Sequence, residues 1–158
     1  MRLPARHLPQ GFTLLELLVV LVIIGIILGV VSINAVPTNQ KFLQNEAQRI
    51  ALLLQVARDE AIVRNQPVAF EAESDHYRFL VRNENSWEPI TGDDLMRERD
   101  FKRSPIGLVM NPAPAGGSNP LVIVFGREPV DKPFVLTMTY GDDAVAIHAD
   151  GIGHFAVE

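Results

Sequence analysis

Hydrophobic residues are concentrated in one long block near the start of the chain. The stretch FTLLELLVVLVIIGIILGVVSIN begins at Phe12 and contains a single charged residue, Glu16. A helix of this length is roughly 30 Å long, which is the thickness of the hydrocarbon core of a bilayer. The pattern predicts a transmembrane helix over residues 12–36.

The segment before this block carries positive charge and no acid. Arg2 and Arg6 should hold the N-terminus in the cytoplasm and direct the rest of the chain outward. A cleavable secretory signal is disfavoured, because its apolar region would be only about 7–15 residues long. A plain single-pass anchor explains the length and the basic flank, but it leaves the charge of Glu16 unexplained.

A free amine near Glu16 would offset that charge. Cleavage after Gly11 would make Phe12 the new N-terminus, four residues before Glu16. The two charges can approach each other within one helix or between staggered neighbouring helices. Such a pair offsets part of the desolvation penalty of each charge, so Glu16 would favour assembly over an isolated helix.

The residues around this point resemble a known processing site. Gly11-Phe12-Thr13-Leu14-Leu15-Glu16 is similar to the cleavage motif of type IV prepilins and type II secretion pseudopilins. The resemblance implies that a prepilin peptidase removes residues 1–11 by cutting between Gly11 and Phe12, and that Phe12 is then N-methylated. It also implies that Glu16 is the carboxylate used in filament assembly.

An amphipathic helix is predicted after the apolar block. Its apolar residues recur at spacings of three and four and should end before Pro67. They are Leu43, Ala47, Ile50, Leu54, Ala57 and Ala61. This stripe predicts a helix over residues 37–66 that packs on the sheet of its own domain.

Two further stretches indicate which family within this group the chain resembles. Residues 52–68, with Ala57-Arg58-Asp59-Glu60-Ala61-Ile62 and then Pro67-Val68, are similar to the H-type minor pseudopilin and to its relative, the T-type minor pilin. Asp59 stands where that family often has serine. Residues 147–155 resemble the final hairpin of the same family, including its Asp-Gly turn.

This resemblance implies a fold, a function and a set of partners. The fold is α+β and type IV pilin-like, with a long N-terminal helix, membrane-spanning in its first half and amphipathic in its second, packed on antiparallel β-sheets. The implied function is that of a minor pseudopilin at or near the tip of the periplasmic pseudopilus of a type II secretion system. The implied partners are prepilin peptidase, the other minor pseudopilins, the major pseudopilin, the inner membrane, and the secretin or secreted proteins.

Alternating residues predict strands in the second half of the chain. Residues 68–72 and 77–82 alternate and should form a hairpin, and further strands are expected at 121–125, 134–140, 145–148 and 152–157. Trp87 is expected in a small core, and residues 111–120 in an exposed loop. A long helix followed by antiparallel strands is typical of the α+β class.

The predicted organisation has four parts. Residues 1–11 form the prepilin leader, 12–36 the transmembrane and assembly helix, 37–66 the amphipathic helix, and 67–158 a periplasmic antiparallel β domain. The predicted location is the bacterial inner membrane, with the N-terminus in the cytoplasm and the C-terminal domain in the periplasm.

Composition argues against several chemical functions. The 158 residues include no cysteine, which excludes disulfides and thiol nucleophiles. No nucleophile-elbow or phosphate-binding glycine motif is present, so neither a catalytic residue nor a cofactor is predicted. His148, Asp150 and His154 lack the spacing of a helical histidine pair, and no metal site is predicted.

Two alternatives to the pseudopilin hypothesis remain open. One is a minor pilin of a type IV pilus, involved in pilus assembly or DNA uptake. A DNA-binding minor pilin of the T type would need basic residues near the C-terminus, but residues 133–158 contain no lysine or arginine, and the net charge is −5. A short basic cluster, Arg97, Arg99, Lys102 and Arg103, is nearly cancelled by adjacent acids. A membrane-anchored binding module that never assembles would leave Glu16 without a partner.

Overall fold

The computed structural model describes residues 13–33, 38–114 and 116–158. Gly11, Phe12 and the predicted leader lie outside the described residues, as do residues 34–37 at the end of the predicted transmembrane segment. The chain divides into two compact units, one up to residue 37 and the other from residue 38 onward.

The first unit contains helix α1, Leu14–Ile33. Every side chain from residue 13 to residue 28 is exposed, although most of them are large and aliphatic. Within the described residues, no helix is long and apolar enough to cross a membrane.

The second unit begins with helix α2, Asn39–Arg64. Thr38 caps its start, because the hydroxyl oxygen accepts a hydrogen bond from the backbone N–H of Lys41 at 3.3 Å. Asn65 caps its end in the left-handed conformation, with φ of 54°, and its backbone N–H donates to the carbonyl of Ile62. The polar residues at both ends therefore satisfy backbone groups that the helix leaves unpaired.

Nine strands follow within the described residues and form two antiparallel sheets. The strands are β1 Val68–Ala72, β2 His76–Asn83, β3 Ser86–Pro89, β4 Arg99–Asp100, β5 Gly107–Asn111, β6 Leu121–Phe125, β7 Phe134–Tyr140, β8 Asp143–Ala149 and β9 Phe155–Val157. The first sheet has the order β3-β2-β1-β6, with β4 also paired to β2, and the second has the order β5-β7-β8-β9. The predicted hairpin is confirmed, because Val68 lies opposite Val81 in the β1–β2 pair.

The core of the second unit lies between α2 and the two sheets. All six residues of the predicted stripe on α2 are buried, and Leu43, Leu54, Tyr77 and Phe79 are fully so. Each buried leucine contributes about 1.5–3 kcal/mol relative to an exposed one. Since the core residues run from Phe42 to Ile147, this unit holds a complete hydrophobic core of its own.

Two expectations about the strand domain were wrong. Trp87 is exposed on β3 rather than in a core, and its ring lies 5.8 Å from the guanidinium carbon of Arg82. Residues 152–154 belong to a turn, so the last strand begins at Phe155. In both cases the local sequence was insufficient, because the position of an edge strand or a turn depends on residues that are distant in sequence.

Candidate functional site

Glu16 is the third residue of α1. Its backbone N–H donates to the hydroxyl oxygen of Thr13 at 3.3 Å and to the Thr13 carbonyl at 3.1 Å. The spacing Thr-x-x-Glu is that of a capping box, and a carboxylate in the first turn is favoured by the helix dipole. The recorded bonds thus use the backbone N–H of Glu16, and its side chain has the spacing of a capping-box acid, which the sequence analysis did not note.

The predicted processing residues cannot be placed beside Glu16. Gly11 and Phe12 lie outside the described residues, so the predicted pairing of the Phe12 amine with Glu16 stays a prediction. The described side chain of Glu16 is exposed, and it is the only charged residue in α1. Its surroundings on the helix are aliphatic, which makes the position costly for a lone charge in an apolar environment.

Arg58 connects α2 to two loops of the second unit. Its Nη2 donates to the carbonyl oxygen of Pro129, and its Nη1 lies 3.3 Å from the Asp59 carboxylate. The side chain is only 13% exposed, and its guanidinium lies against Gly153. The arginine of the Ala-Arg-Asp-Glu-Ala-Ile stretch therefore bonds the loop at Pro129 to the helix and packs against Gly153 in the final turn.

Asp150 organises that final turn. One carboxylate oxygen accepts hydrogen bonds from the backbone N–H groups of Ile152 at 2.8 Å, Gly153 at 3.1 Å and His154 at 3.0 Å. The other oxygen lies 2.8 Å from Nδ1 of His154. Desolvation raises the pKa of Asp150, but these hydrogen bonds outweigh it and lower the pKa to about 2.

We expect the Asp150 turn to lose its contribution to stability in acid. The folded pKa, about 2, lies below the unfolded value of about 3.9, so the contribution is present above pH 4 and is lost as pH falls toward 2. The test is to measure the Tm of residues 38–158 between pH 6 and pH 2, for the wild-type fragment and for the same fragment carrying Asp150→Asn. The difference in Tm between the two proteins should shrink over that range, and a constant difference would contradict the expectation.

The histidines and acids near the C-terminus make local pairs. His148 Nε2 lies 3.5 Å from the carboxylate of Glu158, while His154 pairs with Asp150.

A different group, Glu73, Asp75 and His76, was not singled out by the sequence analysis and brings three potential ligand atoms within 4.8 Å of one another. The hydrogen bond between Asp75 and His76 raises the pKa of His76 and lowers that of Asp75.

The predicted basic cluster is divided between two places. Arg103 donates from Nη1 to the side-chain oxygen of Asn39 at 2.7 Å, and its guanidinium carbon lies 5.0 Å from the centre of the Phe42 ring. Arg97, Arg99 and Lys102 line a polar pocket with acidic neighbours. The four cations therefore do not form one continuous basic surface.

Comparison with known proteins decides the family. Residues 46–153 match the sequence model described as type II transport protein GspH, and residues 6–32 match the prokaryotic N-terminal methylation motif. The chain belongs to the GspH family. The predicted resemblance to the H-type pseudopilins is thereby confirmed.

A curated relative supports the same family. The type II secretion system protein H of Pseudomonas aeruginosa is 39% identical over 88 residues, which cover 53% of this chain and 51% of that protein. The chain thus spans about half the length of this relative.

Two solved structures share the fold. The solution structure of Escherichia coli GspH has a TM-score of 0.57 and 18% identity, and the match covers 76% of this chain and 91% of that one. The type IV minor pilin FimU of Pseudomonas aeruginosa has a TM-score of 0.53 and 16% identity, covering 73% and 87%. The predicted α+β, pilin-like fold is confirmed, and it is shared by a pseudopilin and a pilin.

Proposed function

We propose that this chain is a minor pseudopilin, a structural subunit at or near the tip of the periplasmic pseudopilus of a type II secretion system. Membership of the GspH family, together with the match to the N-terminal methylation motif, carries the proposal. The second unit supplies a self-contained domain that can make specific contacts, and the first supplies an apolar helix.

The exposed apolar surface of α1 supports an assembly role. Its aliphatic side chains are exposed over residues 13–28, and Leu14 reaches 84% exposure. A soluble monomer rarely exposes a continuous apolar surface of this extent, so lipid or neighbouring helices should cover it. We propose residues 12–36 as the transmembrane and assembly helix of a single-pass inner-membrane protein whose C-terminal domain is periplasmic.

The N-terminal motif supports a processing step. We propose that prepilin peptidase removes residues 1–11 by cutting between Gly11 and Phe12, and that Phe12 is N-methylated. The match to the methylation motif over residues 6–32 supports this assignment. Glu16 then assists assembly with the other minor pseudopilins and the major pseudopilin, and the second unit contacts the secretin or secreted proteins.

A type IV pilus function is the second candidate, because the minor pilin FimU shares the fold. Charge argues against its DNA-uptake form. Residues 133–158 contain no lysine or arginine. The acids in this region repel phosphate groups, and they are Asp142, Asp143, Asp150 and Glu158. The basic cluster that might have compensated is divided between two places.

Deleting the gene distinguishes the two candidates. Exported enzyme in the culture supernatant should fall strongly and recover with the wild-type gene, while piliation and transformation stay normal. Secretion, piliation and transformation are measured in the same strains. Normal secretion combined with defective pili or DNA uptake would contradict the pseudopilin function and favour the pilus.

A further inference from the structure

The second sheet has one face on the core and one face pointing away from it. Successive residues of a strand alternate between the two faces, so the buried positions identify the outward ones. Leu136 and Met138 of β7 are buried in the core, as are Val145 and Ile147 of β8. The residues between them point away from the core, and we refer to the surface that they form as the outer face of the second sheet.

The outer face of the second sheet is almost free of charge. Its central row runs across three strands, from Val109 on β5 through Thr137 on β7 to Ala146 on β8. The neighbouring rows on these strands contain only glycine, alanine, threonine, valine and asparagine, apart from His148. Val109 is 62% exposed, so no described residue covers that end of the row. The face is thus open and built mainly of short, uncharged side chains.

The outer face of the first sheet has the opposite character. Arg78 on β2 lies opposite Glu71 on β1, and its Nε donates to the Glu71 carboxylate at 2.6 Å. Arg82 lies on the same face, where its guanidinium carbon is 5.8 Å from the centre of the Trp87 ring. An open antiparallel sheet normally places apolar residues toward the core and polar residues toward water. The first sheet follows this rule with charges, whereas the second has valine, threonine and alanine in its outward positions.

Polar groups lie at the border of the uncharged area. Next to β9, the carboxylate of Glu158 is 3.5 Å from Nε2 of His148, and at the end of β5 the side chain of Asn111 is exposed. Protein–protein interfaces have the same composition, because charged residues are depleted from their centre and polar residues form the rim. A nucleic acid would instead need cations for its phosphates. The face therefore fits a protein partner with an uncharged surface.

The size of the face restricts the kind of partner. Four strands spaced about 4.8 Å apart, each with about five residues at about 3.4 Å per residue, cover roughly 300 Å². Stable complexes between free proteins bury about 800 Å² on each partner. The face is therefore too small to hold a free protein or a second copy of the domain in solution. It suffices for a partner that another contact already keeps nearby, because the effective concentration is then high.

We propose that the outer face of the second sheet packs against an uncharged surface of a neighbouring pilin-like subunit in the same filament. The membrane segments of the two subunits keep such a neighbour close, so a small contact is sufficient. The identity of the partner as a filament subunit rests on the proposed function, whereas the openness of the face and its lack of charge do not. Val109, Thr137 and Ala146 form the centre of the contact.

Site-specific photo-crosslinking in cells tests the contact. The full chain carries the photoreactive amino acid benzoylphenylalanine in place of Val109 or, as a matched control, in place of Val124. Val124 is also an exposed valine, at 48%, but it lies on the outer face of the first sheet. The probe at Val109 should crosslink about tenfold more strongly than the probe at Val124, because only the first lies in the contact. Mass spectrometry should identify the captured protein as one with an N-terminal methylation motif.

Charged substitutions test whether the lack of charge matters. Val109→Asp places an unpaired charge in the contact and should weaken crosslinking from a probe at Ala144, on the same face, about tenfold. Val109→Thr keeps a branched, uncharged side chain and should leave crosslinking unchanged, as should Val124→Asp on the other sheet. The melting temperature of residues 38–158 shows whether each variant is folded. The unsubstituted probe positions test the proposal even if Val109→Asp does not fold.

Several outcomes would overturn the proposal. They are equal crosslinking from Val109 and Val124, no crosslinking from Val109, and crosslinking from Val109 only to the secretin or to a secreted protein. A dimer of residues 38–158 in solution that Val109→Asp dissociates would assign the face to a second copy and would also overturn it. Normal secretion without the gene, combined with crosslinking from Val109 to a pilin-like subunit, would contradict the proposed function and support the contact.

Discussion

Glu16→Ala is expected to reduce crosslinking of this chain to its neighbouring subunits, and export by the secretion system, by roughly tenfold or more. Without the carboxylate, the amine of a processed Phe12 has no partner in an apolar environment. A lone charge at the centre of a membrane helix costs about 2.5–3.5 kcal/mol. About half of that cost at the start of the helix corresponds to a factor of ten in the assembly equilibrium, at about 1.4 kcal/mol for each factor of ten.

The capping role of Glu16 offers a competing explanation for the same loss. Glutamine serves in a capping box nearly as well as glutamate, because its side chain also accepts a hydrogen bond. Glu16→Gln therefore keeps the backbone N–H bond to Thr13 and a side chain able to cap the start of α1, and it removes only the charge. We expect Glu16→Gln to fail in assembly as Glu16→Ala does.

Three measurements keep these explanations separate. Mass spectrometry reports whether residues 1–11 are removed, membrane fractionation reports insertion, and crosslinking reports assembly. Both variants should be processed and inserted but not incorporated. Full activity of Glu16→Gln together with loss in Glu16→Ala would assign the residue to helix capping and contradict the proposed ion pair.

Gly151→Ala is expected to destabilise the second unit by roughly 3 kcal/mol and to lower its Tm by about 10 °C or more. Gly151 has φ of +83°, which costs any residue with a Cβ atom about 1–2 kcal/mol. A Cβ there would also clash with the carbonyl oxygen of Asp131. The clash cannot be relieved cheaply, because the Asp131 N–H donates to the Gly151 carbonyl at 2.7 Å.

Gly141→Ala is the matched control. Gly141 also lies in a hairpin turn and has φ of +61°, but no atom lies within 4 Å of an added Cβ. This substitution should cost only about 1 kcal/mol, from backbone strain alone. Thermal unfolding of residues 38–158 measures both variants, and an equal loss of stability in the two would show that the contact with Asp131 contributes nothing.

The sequence predicted the elements whose signals are local. The stripe on α2 repeats every three to four residues, and all six of its members are buried. The bounds of β6 and β7 were predicted as they are observed, because apolar runs of that length end at glycine-containing or proline-containing turns. The short strands were not predicted in the same way. For example, β4 has only two residues, and its formation depends on pairing with β2.

The candidate sites also differ in whether their signal is local in the sequence or depends on contacts between distant segments. Gly11, Phe12 and Glu16 were singled out because their motif is contiguous. By contrast, the contacts of Tyr77 with Arg49 and Arg99 join α2, β2 and β4, which no spacing rule connects. Arg58 belongs to a stretch that the sequence marked as family-like, but its contact with Pro129 could not be read from that stretch. The exposure of Trp87 likewise follows from its place on an edge strand.

The sequence by itself determined the α+β class, the apolar and amphipathic helical segments and the family, because periodicity and contiguous motifs reflect interactions between near neighbours. Only the tertiary structure decided which polar side chains are buried together. It placed Glu46, Arg49, Tyr77 and Arg99 in one cluster and brought the guanidinium of Arg58 against Gly153 in the Asp150 turn. Burial and hydrogen-bond satisfaction depend on packing between distant segments, which a linear pattern does not specify.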